Sequence, residues 1–90
     1  MKEDLIELFE AKGVKYDEKT LDALLPLLDK SKLRDLKIKT VYYQYLSMVN
    51  KDGKKYSCAE AKELCAIKLN KTISNVRVAV YRKPFGGVWD

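Results

Sequence analysis

Leu5, Leu8, Phe9 and Lys12 stand at i, i+3, i+4 and i+7 in residues 2–12, and Leu21, Leu24, Leu25 and Leu28 repeat the helical spacing after a short connection. That period lines apolar side chains along one helix face, which must then be buried against another element. Glu3, Asp4 and Glu7 sit in the first turns, where acids suit the helix dipole, and Gly13 is a natural stop. For the second helix Asp17 or Thr20 can serve as N-cap. Pro26 leaves its start open. With a start at Thr20 the proline is interior and kinks the helix at a cost of about 3 kcal/mol, whereas with Asp22 as cap it falls in the tolerant first turn. Ser31 predicts a third helix over residues 32–50, with Leu33, Leu36, Val41, Tyr45, Met48 and Val49 inward and Asp52-Gly53 turning the chain afterwards. Within it, Tyr42, Tyr43 and Tyr45 cannot all share one face, so at least one looks outward or toward a partner.

A chain of 90 residues with 47% hydrophobic and 34% charged residues is expected to form one globular domain over residues 1–90. No apolar run approaches the roughly 18 residues of a membrane span, and Met1 is followed by Lys-Glu-Asp, so a soluble, cytoplasmic protein without a membrane partner is expected. Cys58 and Cys65 lie seven positions apart, about 10 Å along a helix axis. A disulfide within that helix is therefore excluded, and with no histidine the usual zinc sites are excluded as well. Both cysteines are expected in the core of a reduced protein. No cofactor is implied. With no histidine, no glycine-rich phosphate loop and no activating group beside either cysteine, catalysis is not expected.

The net charge of +5 is unevenly spread. Residues 1–30 hold five lysines and eight acids, while residues 31–90 hold thirteen Lys or Arg and five acids. The chain therefore divides into an acidic helical front part and a basic rear part. Between Glu63 and Asp90 there is no acid, yet Lys68, Lys71, Arg77, Arg82 and Lys83 all fall there. One sign of charge beside an apolar-periodic segment is the footprint of a nucleic-acid surface, with a solvated basic face as the plain alternative.

Ser57-Cys58-Ala59-Glu60 matches a capping box, so a helix starts at Cys58. Ala61, Leu64, Cys65, Ile67 or Lys68, and Leu69 form its apolar face, and Asn70, which tolerates a left-handed backbone, ends it. A short turn leads to a second helix capped by Thr72 or Ser74. On a helical wheel Ile73, Val76, Ala79, Val80 and Lys83 cluster inward and Ser74, Arg77, Val78, Tyr81 and Arg82 outward. Residues 61–82 resemble the helix-turn-helix of bacterial transcription regulators, through Ala61 and Ala66 in the first helix, the Leu69-Asn70 turn, a Thr or Ser opening the second helix, and Val76 followed by Arg77. One departure is Lys71, at a turn position where that family usually buries an aliphatic residue, a role that passes to Ile73. The helix over residues 32–50 and the stretch 54–56 look like the first helix and short strand of a winged helix, with residues 84–89 as a stunted wing.

The fold class expected is thus mainly α, a small helical domain with a C-terminal helix-turn-helix, winged in its fuller form. A rival remains. Val76, Val78 and Val80 alternate with Arg77, Ala79 and Tyr81, and residues 75–82 read alone as a strand, which would make the domain α+β. The helix is preferred because such a strand has only residues 54–56 and 88–90 to pair with. The resemblance implies a DNA-binding transcription regulator or mobile-element accessory factor whose second helix enters the major groove of double-stranded DNA. Arg77 and Arg82 would take base edges or phosphates, Ser74, Thr72 and Tyr81 phosphates or bases, Lys68, Lys71 and Lys83 phosphates, and Val78 a thymine methyl, a wing or a second subunit. Residues 1–30 and the Tyr42, Tyr43, Tyr45 cluster are the expected surfaces for a homodimer or protein partner. The alternative function is a protein-binding adaptor or inhibitor on the same scaffold, using exposed aromatics such as Phe85 and Trp89.

Overall fold

The computed structural model describes residues 2–82, in five α-helices and one 3₁₀ turn. Helix α1 (Lys2–Lys12) buries Leu5, Leu8 and Phe9. It ends as expected at Gly13, whose φ of +71° only a residue without Cβ adopts at little cost. The Val14 N–H reaches the Phe9 carbonyl at 2.9 Å and the Gly13 N–H the Glu10 carbonyl at 3.1 Å, the paired bonds of a Schellman stop. Helix α2 (Glu18–Leu24) is capped by Asp17, whose carboxylate accepts the Thr20 N–H at 2.8 Å. Neither placement weighed for Pro26 holds. The α-helix stops at Leu24 and a 3₁₀ turn, Leu25–Leu27, takes the proline near its start, where no N–H is needed. Lys2 bonds Glu18 and lies 3.9 Å from Asp22, drawing the starts of α1 and α2 together.

Helix α3 (Lys30–Leu46) differs from its expected limits at both ends. Asp29 caps it in place of Ser31, accepting the Lys32 N–H at 2.8 Å with a charged oxygen that also favours the positive end of the helix. The helix closes at Leu46 instead of near Asn50, because the Asn50 side chain accepts the N–H groups of Asp52 and Lys54 and folds residues 50–54 into a turn around Gly53. Met48 and Val49, expected inward, therefore lie beyond the helix and are 47% and 59% exposed. Residues 54–56 form no strand. Val49 and Lys55 make one isolated antiparallel bridge, and there is no β-strand among the described residues.

Helix α4 (Cys58–Leu69) begins with both bonds of the capping box, Glu60 N–H to the Ser57 hydroxyl and Ser57 N–H to the Glu60 carboxylate, each 3.2 Å. It ends at Asn70 with φ 53° and ψ 48°, where the Lys71 N–H reaches the Ala66 carbonyl at 2.9 Å. Ala61, Cys65 and Ala66 are buried, while Ile67 and Lys68, the two alternatives for one position of the inner face, are both exposed, Ile67 at 77%. Cys58 is exposed, which corrects its expected core position. Helix α5 (Ile73–Tyr81) is capped by the Thr72 hydroxyl on the Asn75 N–H at 3.2 Å. The strand reading of residues 75–82 is therefore set aside. Among the described residues the valines have no extended neighbour to pair with, but Val76 and Ala79, one helical turn apart, find a surface on α3 and α4. The possible wing at residues 84–89, and Lys83, lie outside the described residues.

Two apolar clusters build the interior, and α3 serves both. Leu36 joins Leu5, Leu8, Phe9, Leu21, Leu24 and Leu28, whereas Ile38 and Tyr42 join Ala61, Cys65, Ala66, Val76 and Ala79. Tyr43 packs against both clusters. This two-sidedness explains the tyrosines. Tyr42 is buried edge-on to Tyr43, with ring centroids 5.1 Å apart, and Tyr45 meets Tyr56 at 6.2 Å. A lysine lies over each ring of the trio, Lys62 over Tyr42, Lys12 over Tyr43 and Lys68 over Tyr45, at 5.1 to 6.0 Å from the centroids. The cluster, weighed as packing or as a partner contact, is packed against the domain's own α1, α4 and the turn before α4.

Candidate nucleic-acid interface

The basic segment owes its shape to three local devices in succession. The capping box starts α4, the left-handed Asn70 turns the chain, and Thr72 starts α5. Helices α3, α4 and α5 pack pairwise on one another, so α5 is braced along its Val76–Ala79 stripe by both predecessors. With that stripe inward, Ser74, Arg77, Val78 and Tyr81 are exposed on the other side, Tyr81 at 86% and Val78 at 46%. Their grouping follows the wheel drawn from the sequence.

The remaining residues assigned to the interface are placed differently from one another. The Thr72 hydroxyl is occupied as the α5 cap. Lys68, though exposed, has its ammonium 5.9 Å from the centre of the Tyr45 ring. Arg82 turns toward α3, its guanidinium 3.5 Å from Asp35 Oδ2. Lys71 is exposed in the α4–α5 turn.

Two clefts flank the C-terminal half of α5, and both are lined by Val78 and Arg82. The larger, about 560 Å³, is largely apolar and is bounded by Lys62, Arg77, Val80 and Tyr81. The smaller, about 370 Å³, is polar and lies toward α3, where Arg34, Asp35 and Ile38 face Lys71 and Asn75. The chain matches no protein-family model, no curated protein and no solved structure.

Reading the sequence missed Arg34, Lys62 and Asn75 as cleft residues. Asn75 had a signal, since it shares a stripe with Val78 and Arg82 at i, i+3 and i+7. Arg34 and Lys62 had none, because their helices reach α5 only through tertiary packing. Among the described residues there is no cluster of three or more side chains able to hold a metal ion. No helix among them is long and apolar enough to cross a membrane.

The two cysteines differ in environment although they share a helix. Burial pushes the Cys65 thiol above its ordinary pKa, and its Sγ donates to the Ile38 carbonyl at 3.4 Å. Burial, followed by hydrogen bonding to the Cys58 side chain, raises the Tyr42 phenol, which stays neutral at physiological pH. Since the thiolate is the reacting form, an alkylating reagent at pH 7.5 should modify Cys58 in the native protein and Cys65 only after denaturation. Mass spectrometry that finds both labelled at equal rates before unfolding would contradict the packing of α4 on α3.

Proposed function

We propose that this protein binds duplex DNA, with α5 as the helix presented to the major groove and α3 and α4 as its support. The observation that carries this reading is the division of α5 into a braced apolar stripe and an opposite exposed stripe of Ser74, Arg77, Val78 and Tyr81. An α-helix with its side chains is about 10–12 Å across, which a major groove roughly 12 Å wide admits, and the nine residues of α5 run about 13 Å along it. A short hydroxyl, a guanidinium, a methyl-bearing side chain and a phenol suit phosphate oxygens, purine edges and thymine methyls. No acid occurs from Leu64 to Arg82, so repulsion from the phosphates is low along this face. A regulatory role at a specific site is the corresponding biological reading.

The test is an anisotropy titration of a labelled duplex with the full chain. If about four phosphates are neutralised, affinity should fall roughly a hundredfold between 50 and 200 mM salt. Absence of any binding at about 50 mM salt, where even non-specific contacts are strong, would reject the proposal. A second reading, a protein-binding adaptor, draws on the larger apolar cleft with Val78, Val80 and Tyr81 on its walls. A nuclease-insensitive, stoichiometric complex with one protein would favour it.

A further inference from the structure

The smaller cleft brings together residues from three parts of the chain. Arg34 comes from the first turns of α3, Lys71 from the α4–α5 turn, and Asn75 and Arg82 from α5. Three cations and an amide thus converge on one concavity in which Asp35 is the only acid among the described residues of the wall. Asp35 is already paired with Arg82, and with its side chain 13% exposed it forms a fixed anchor, not a mobile competitor. The guanidinium donates through one nitrogen to Asp35, and a planar fork of five N–H groups keeps further donors for a second acceptor. Ile38 and Val78 supply the apolar part of a wall that is otherwise polar.

We infer that this cleft between α3 and α5 is a phosphate subsite, in which Arg34, Lys71 and Arg82 take the oxygens of one phosphate group and Asn75 adds an amide donor. Its volume of about 370 Å³ equals that of roughly a dozen waters, so a phosphodiester enters with part of its hydration shell. Arginine forks match phosphate oxygens in pairs, and a lysine beside them adds a point charge. The inference rests on the DNA-binding proposal for its source of phosphate, and it deepens that proposal. Asn75 and Arg82 flank the stripe of Ser74, Arg77, Val78 and Tyr81, so a backbone phosphate held here would lie along one flank of the helix in the groove. Arg34 then fixes the register of the protein on the duplex from outside the helix-turn-helix itself.

Arg34→Ala is the decisive variant, since Arg34 is exposed and its removal spares the core. Circular dichroism and a melting curve matching the wild type establish that it is folded. In anisotropy titrations with the same duplex, its affinity at 100 mM salt should fall about tenfold and the slope of log K against log salt should lose about 0.9, the value of one phosphate contact. Arg34→Lys should recover the slope and part of the affinity. If the wild type binds duplex DNA and Arg34→Ala keeps both affinity and slope, the subsite is refuted while the DNA-binding proposal stands. If the wild type does not bind duplex, titration with inorganic phosphate and with a 5′-mononucleotide, followed by NMR, separates the two ideas. Shifts of the Asn75 side-chain amide and Arg34 Nε in the wild type, with the Asn75 shift lost in Arg34→Ala, would sustain a subsite for free phosphate. Silence at both positions would overturn it.

Discussion

Replacing Arg77 and Tyr81 together by alanine should lower duplex affinity about a hundredfold with almost no change in melting temperature. An arginine on a base edge or phosphate is worth about 1–3 kcal/mol, and an aromatic contact adds of the order of 1 kcal/mol. With each 1.4 kcal/mol a factor of ten, the pair accounts for about two decades. Both side chains are exposed, and surface substitutions of this kind usually stay within about 0.5 kcal/mol in stability. Anisotropy and calorimetry on the same preparation read the two quantities separately. Unchanged affinity in the double variant would remove α5 as the reading element, even if the protein bound DNA by another surface. An Arg77→Lys, Tyr81→Phe variant, which keeps charge and ring, should recover most of the binding.

Phe9→Ala should produce the largest loss of stability, about 3–5 kcal/mol. The ring is fully buried in the first cluster, and it also lies 5.8 Å from the Tyr16 ring. For a domain of this size the loss corresponds to a fall in melting temperature on the order of 20 °C. The effect should reach beyond α1 and α2, because α3 carries Leu36 for the first cluster and Ile38 and Tyr42 for the second. Amide exchange in α4 and α5 should therefore accelerate in the variant along with that in α1. Protection that survives in α4 and α5 while α1 opens would mean that the two clusters unfold as separate units. In that case the acidic front part would be an appendage and not a support of the proposed interface.

What local chemistry dictates was readable at the helix ends. Gly13, the Ser57–Glu60 box, Asn70 and Thr72 act on backbone groups a few residues away, and each does so in the folded chain. Where two capping side chains competed, local reading was weaker. Asp29 displaced Ser31, and Asn50 ended α3 early by satisfying two turn amides with one oxygen.

The helix-or-strand choice for residues 73–81 was of another kind, because alternating valines suit either conformation until a neighbour is specified. Packing specified it, through the seat for Val76 and Ala79 on α3 and α4. The same holds for the tyrosines. A helix with one buried face would have left a ring outside, but α3 is covered by α1 on one side and by α4 and α5 on the other.

The sequence alone thus determined both ends of α1 and α4, and which side chains α5 turns outward, since capping bonds and helical periodicity span only a few residues. Tertiary structure decided that α3 has two buried faces, and that Arg34, Lys71, Asn75 and Arg82 meet in one cleft. Arg34 is far along the chain from Lys71, Asn75 and Arg82, and no short-range pattern couples it to them. Their proximity follows only from how the two apolar clusters close around a shared helix.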